Sequence, residues 1–238
     1  MPDVSLLLTC EHAVNAVPER WQHLFQGNFE TLEGHRGWDL GAAELAQNLA
    51  RELSAPCFMA RVSRLLLDHN RSPHNRSLWS EFSRELTVQE KTLMLDEYYR
   101  PFREQTSRWI AERQINGGRV IHVSVHSFTP VLDGKVRDVD IGLLYDTNRS
   151  DEAFLADIWK SRLTAGNPEL KVRFNVPYRG RSDCHQRSYR ELYKSGAYQG
   201  IELEINQNLV SAQSGYNDLK RLLADSLREA MVEMTSDE

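Results

Sequence analysis

His126 ends an apolar strand pattern, RVIHVSVHS, where Ile121, Val123 and Val125 give way to Ser127. An imidazole there is either a core group bonded to a backbone carbonyl or a metal ligand, with zinc the foremost candidate. Glu11–His12 follow directly on a second apolar run, VSLLLTC at 4–10. Asp39 precedes LGAAELAQNLARELS, so it reads as a helix N-cap carboxylate unless a nearby metal recruits it. His35, four residues earlier in a glycine-flanked loop, is either a further ligand or, as the favoured reading, a solvated loop residue. In IELEINQ, Glu202, Glu204 and Asn206 share one strand face, opposite Ile201, Leu203 and Ile205. That face is either the solvent side of an edge strand or the seat of a general base. The 68–76 loop, DHNRSPHNR, offers Arg71 and Arg76 as forks for a carboxylate, or is a solvated basic loop.

These residues need strands that end together. Residues 4–10 and 56–62 read as buried strands, as do 119–127, 139–145, 172–175 and 201–205. Between them, 39–53 places Ala42, Leu45, Ala46, Leu49 and Leu53 on one helical face. Thr87 and Glu90 have capping-box spacing and open a long helical pattern to about Gln114, in which Pro101 predicts a kink or a break. Helices are also expected over 151–163 and 216–233. The alternation implies an α/β fold, a mixed, mostly parallel sheet covered by helices on both faces. In such sheets ligands bind beyond the carboxyl ends of the strands, where this chain repeatedly puts histidine and carboxylate. Charged groups resist burial unless they are paired or bound to metal.

The 238 residues fit a single domain over 1–238, and 40% hydrophobic content is enough for a sizeable core. A net charge of −5 and a pI near 5.9 leave no footprint for nucleic acid or an anionic membrane. No apolar run reaches transmembrane length, and the Met1–Pro2–Asp3 start is unlike a signal peptide, so a cytoplasmic location is expected. Three scattered cysteines, Cys10, Cys57 and Cys184, make neither a disulfide framework nor a cysteine-based zinc site.

Seven segments in order resemble the N-formylglutamate amidohydrolase family: TCEHAVNAVP at 9–18, WDLGAAELA at 38–46, SRLLLDHNRS at 63–72, VHSFTP at 125–130, DIGLLYD at 140–146, NVPYRG at 175–180 and GIELEINQNLV at 200–210. The family is distantly like the zinc carboxypeptidases and aspartoacylases, which implies a zinc-carboxypeptidase-like α/β fold and one Zn2+ per chain. The resemblance implies His12 and His126 as metal ligands, with Asp39 or Glu11 as the carboxylate ligand. It implies Glu204 as general base and Arg71 as the group that holds a substrate carboxylate or polarises the carbonyl. Arg64, Asn70, Tyr178 and Arg179, which lie within the matching segments, are expected around a small N-acyl amino acid. The chain departs from the family pattern at Asn206 and Asn208, where an Arg and an Asp are usual. It also departs at Arg103, where Pro-Tyr-His gives way to Pro-Phe-Arg. The charges that read the substrate are therefore expected to have moved.

The implied activity is zinc-dependent hydrolysis of the N-formyl or short N-acyl amide of a small acidic amino acid. Two rivals remain at this stage. One is a related zinc deacylase or carboxypeptidase for another N-acyl amino acid or a small peptide. The other is a non-catalytic module whose arginine-rich loops at 61–76 and 179–190 hold an anion.

Overall fold

The first apolar run forms strand β1 (Val4–Cys10) in a computed structural model that describes residues 4–115, 117–211 and 215–236. The Met1–Pro2–Asp3 start lies outside the described residues. The chain continues through α1 (Phe29–Glu33), α2 (Ala42–Glu52), β2 (Cys57–Met59), α3 (Val88–Met94) and α4 (Arg100–Gln114). After β3 (Arg119–Phe128), a small hairpin of β4 (Val131–Leu132) and β5 (Lys135–Val136) leads to β6 (Ile141–Leu144) and α5 (Ser150–Gly166). The remainder is β7 (Val172–Phe174), α6 (Arg187–Leu192), β8 (Tyr198–Asn206), α7 (Gln207–Ser211) and α8 (Tyr216–Ser236).

Six strands make one sheet in the order β2-β1-β3-β8-β6-β7. The first four are parallel, β6 runs antiparallel to β8, and β7 is parallel to β6. This is the expected α/β arrangement of a mixed, mostly parallel sheet between helices. Alternation along β1, β3 and β8 separates two kinds of residue. Leu6, Leu8, Ile121, Val123, Val125, Ile201, Leu203 and Ile205 join the main core with α2, α5 and α8. On the other face Leu7, Val120 and Tyr198 pack with Ile110 of α4 and Tyr189 of α6. Along that same face, toward the strand ends, the side chains become polar.

Several sequence expectations change in detail. β8 is not an edge strand: it lies between β3 and β6, and all nine of its residues are buried. The 56–62 and 139–145 strands shrink to Cys57–Met59 and Ile141–Leu144, and the last strand grows at both ends. The Thr87–Glu90 capping box is present. The long helix breaks at a π-turn, Leu95–Tyr99, just before Pro101, whose ring and missing N–H cannot continue a regular ladder. Gly142 pairs with Glu204 across β6 and β8, and a Cβ there would lie 2.1 Å from the Val176 carbonyl oxygen. Only glycine lets the 175–180 loop cross beside Glu204. Among the described residues no helix is long and apolar enough to cross a membrane.

Candidate active site

The ends of β1 and β3, the polar face of β8 and the loops at 63–72 and 178–184 enclose a cavity of about 180 Å³. Its walls include His12, Asp39, His126, Glu202 and Glu204, together with Arg64, Asn70, Arg71, Tyr178 and Arg179. Of the residues expected at the site, Glu11 alone stands behind the wall, fully buried. His35 and Arg76 are exposed and outside it. Asn206, Asn208 and Arg103 do not line it either. Asn206 bonds the Val139 carbonyl and the Asn208 amide, so these two departures close a strand end.

Asp39 is not a helix cap. Gly41 holds the N-cap position of α2 in a left-handed conformation, without a side-chain cap bond. The Asp39 carboxylate turns instead to the imidazoles. Its Oδ2 lies 3.2 Å from His12 Nδ1 and 2.8 Å from His126 Nδ1. Nor is His126 a core histidine tied to a carbonyl. Its Nε2 lies 2.9 Å from Ser124 Oγ and 3.3 Å from Glu11 Oε2. His12 Nε2 lies 2.7 Å from Asp68 Oδ1. Each imidazole is therefore anchored on one nitrogen by a buried carboxylate and turns the other toward Asp39. His12, Asp39 and His126 can bring one ligand atom each within 4.8 Å of one another, as can Glu11, His122 and His185.

Charge and burial pull against each other here. Burial raises the Asp39 and Asp68 carboxyls, but the imidazoles and Arg64 beside them outweigh it and hold both well below the usual range. Burial alone would lower His126, yet Asp39 and Glu11 on its two nitrogens push it well above an ordinary histidine. Burial likewise raises Glu11, and its bonds to His126 and His185 overcome it. Glu204 is the exception. It sits directly across from His126 in the β3–β8 register, its Oε2 has no hydrogen-bond partner, and burial beside Asp39 and Glu202 pushes it up to about 8. Glu202, two residues earlier, accepts from Asn70 Nδ2 at 3.1 Å.

The guanidinium groups on the cavity differ in what they already hold. Arg64 bridges Asp39 and Asp68. Arg71 Nη1 donates to the Asn70 and Asp183 carbonyls at 2.9 Å each, and Tyr99 donates to the Arg71 carbonyl at 2.6 Å. Arg179 is exposed and, among the described residues, no hydrogen bond or ion pair engages its side chain. Asn175, at φ 53°, shapes that wall by accepting from the Tyr145 and Gly180 amides. The other arginines of the 179–190 loop are paired, Arg181 with Asp146, Arg187 with Glu191 and Arg190 with Glu152. A broad anion-binding surface is therefore not what this loop provides.

Four participants were not read from the sequence: Asp68, Ser124, Glu202 as a cavity wall, and His185. Ser124 shares the β3 face with His126, so alternation could have exposed it. Asp68 stands four residues after Arg64, the spacing of their ion pair. His185 lies in an aperiodic loop, and no local pattern marks it.

The family model for N-formylglutamate amidohydrolase matches residues 4–211. A gene product of Agrobacterium tumefaciens has a similar crystal structure, with a TM-score of 0.84 and 29% identity, covering 99% of this chain and 92% of that one. An N-formylglutamate amidohydrolase from Ralstonia eutropha JMP134 shares the fold at a TM-score of 0.73 and 18% identity, covering 98% of this chain and 94% of that one. No curated protein matches the sequence. With its site built from the segments that the family model spans, this chain belongs to the N-formylglutamate amidohydrolase family, hydrolases that act on amide bonds.

Proposed function

We propose that the chain is a zinc-dependent amidohydrolase that removes a formyl or other short acyl group from the nitrogen of a small acidic amino acid, such as N-formylglutamate. One zinc per chain would be held by His12 Nδ1, His126 Nδ1 and Asp39 Oδ2. The observation that carries this is the anchoring of both rings. With Nε2 of His12 facing Asp68 and Nε2 of His126 facing Glu11 and Ser124, both Nδ1 atoms turn to the same carboxylate oxygen, Asp39 Oδ2. In the metal-free protein a proton bridges His126 and Asp39, and a metal ion would take that place. Two imidazoles, one carboxylate and an open cavity match the donor set of a catalytic zinc site, and ligand histidines backed by carboxylates are its usual support. Glu11 thereby becomes a support of His126, and Asp39 the carboxylate ligand.

When bound, the metal supplies a Lewis acid for water and for the acyl oxygen, and a positive charge that favours the ionised form of Glu204. Glu204 takes a proton from the attacking water as its oxygen bonds to the acyl carbon. It then delivers that proton to the amide nitrogen as the C–N bond breaks, releasing a carboxylate and the free amine. An unpartnered carboxylate directly across from His126 is suited to both transfers. Arg64, held by two aspartates, keeps the ligand cluster in register. Arg71 keeps its remaining N–H groups for the cavity, where one good donor to the developing oxyanion contributes about 3 kcal/mol. Arg179, with no internal acceptor, is free to fork onto a substrate carboxylate, and Tyr178 and Asn70 complete the walls. A small cavity with several cationic groups fits an acidic amino acid better than a peptide chain.

The test combines metal analysis with hydrolysis of a panel of N-formyl and N-acetyl amino acids. The proposal expects one zinc per chain and a preference for acidic members of the panel. Purified protein with full activity and no zinc after exhaustive chelation would reject it.

A further inference from the structure

We propose that His185, in the loop before α6, is a positioning residue that acts through Glu11 to hold His126 with Nδ1 turned into the cavity. The inference rests on the zinc reading above. Four groups converge on the two Glu11 oxygens. Thr9 Oγ1 and His185 Nδ1 each lie 2.7 Å from Oε1, while Ser124 Oγ and His126 Nε2 meet Oε2. A carboxylate can only accept, so the groups around it must present hydrogens. The His185 ring therefore carries its proton on Nδ1 and leaves Nε2 to the Tyr189 hydroxyl at 3.2 Å. His126 likewise presents a hydrogen on Nε2, so Nδ1 is the nitrogen turned toward Asp39 Oδ2, the side on which a metal would bind.

The network extends behind the wall and closes there. Thr9, having given its hydrogen to Glu11, accepts from His122 Nε2 at 2.8 Å, and His122 Nδ1 accepts from Tyr198 at 2.7 Å. Both ring nitrogens of His122 and of His185 thus have protein partners. Glu11, His122 and His185 are close enough to share an ion, but this bonding makes them a hydrogen-bonded brace instead. Glu11 directly follows β1 and His122 lies on β3, whereas His185 comes from a loop 174 positions along the chain from Glu11. Its side chain fixes Glu11, while its backbone N–H separately holds Asn70 Oδ1 at 2.7 Å and would survive substitution of the ring.

The test measures zinc affinity by chelator competition, with thermal midpoints of the zinc-free proteins alongside. His185→Leu removes the donor and should weaken zinc binding by about 10- to 100-fold. His185→Asn, whose Nδ2 can stand where Nδ1 stood, should restore most of that loss. If His185→Leu does not fold, Glu11→Gln, which keeps volume and halves the accepting capacity, should show the same weakening. Wild-type affinity in His185→Leu, or equal losses in the Leu and Asn variants that follow their thermal midpoints, would overturn the inference while leaving the zinc reading intact. Two zinc ions per chain, falling to one in His185→Leu, would make the cluster a second metal site and overturn it as well. Wild-type protein that binds no zinc would remove both.

Discussion

The two faces of the β1–β3–β8 sheet follow the same alternation and serve opposite ends. One face, Ile201, Leu203 and Ile205 with Ile121, Val123 and Val125, is apolar and closed under α2, α5 and α8. The other, one residue out of phase, carries Thr9, Glu11, His122, Ser124, His126, Glu202 and Glu204, all buried. Burial stabilises the first face through apolar area removed from water. On the second it is costly unless every charge finds a partner, and the network supplies partners almost everywhere. The orphan Oε2 of Glu204 is the exception on that face. A buried carboxylate left without a partner in an otherwise satisfied network costs stability, and the proposed role of general base gives that cost a use.

The sharpest way to break this contrast is to change adjacent residues of β8 that point opposite ways. Glu204→Gln should lower kcat by about 10²- to 10⁴-fold with zinc content and folding near normal. Glu202→Gln should do much less, because Glu202 already accepts from Asn70. A reversed outcome would move the base to Glu202. Leu203→Ala, one step along the strand, should instead cost about 2–5 kcal/mol in denaturant unfolding while each folded molecule keeps its kcat. If Leu203→Ala destroyed kcat without destabilising the fold, the division of labour between faces would fail.

The faces were largely visible in the sequence, because strand alternation is local. RVIHVSVHS and IELEINQ each show which residues leave the apolar set, which brought out His126 and the face shared by Glu202, Glu204 and Asn206, while the family resemblance picked Glu204 from that face. The roles of Glu11 and Asp39 were not visible. Neighbours in sequence, Glu11 and His12 take different sides of the wall, and Asp39 comes from a loop 27 residues after His12. His185 and Asp68 lie in loops without a period, and contacts across such distances leave no local trace. The π-turn was foreshadowed by Pro101, but its form was not, since proline predicts only that the ladder cannot continue.

The arginines allow a finer test of the cavity's rim against its supports. Arg179→Ala should weaken acidic N-acyl substrates by about tenfold, the value of roughly 1.4 kcal/mol, and leave neutral analogues nearly unchanged. Arg71→Ala should impair both kinds, because Arg71 also ties the 70 and 183 backbones together. Equal losses for both substrate classes in Arg179→Ala would remove it as the carboxylate fork.

Protonation gives an effect spread over several pH units and isolates Glu204 from the rest of its face. With its folded value near 8, above the ordinary 4.5, the group binds a proton in the fold that the unfolded chain has released. Metal-free wild type should therefore lose stability as pH rises from about 4.5 to about 8, on the order of 1 kcal/mol per pH unit from this group. Glu204→Gln lacks that slope. The stability difference between the two proteins, measured by urea unfolding in chelator, should grow with pH across that window and vanish toward its acid end. A pH-independent difference would mean that Glu204 is not held in the dry environment described.

The central claim is that His12, Asp39 and His126 form one zinc site, and stoichiometric metal analysis of wild type beside His126→Ala tests it most directly. The wild-type chain should carry one zinc, and His126→Ala should lose most of the zinc and the amidase activity together. Full zinc retained in folded His126→Ala would place the metal elsewhere and contradict the site.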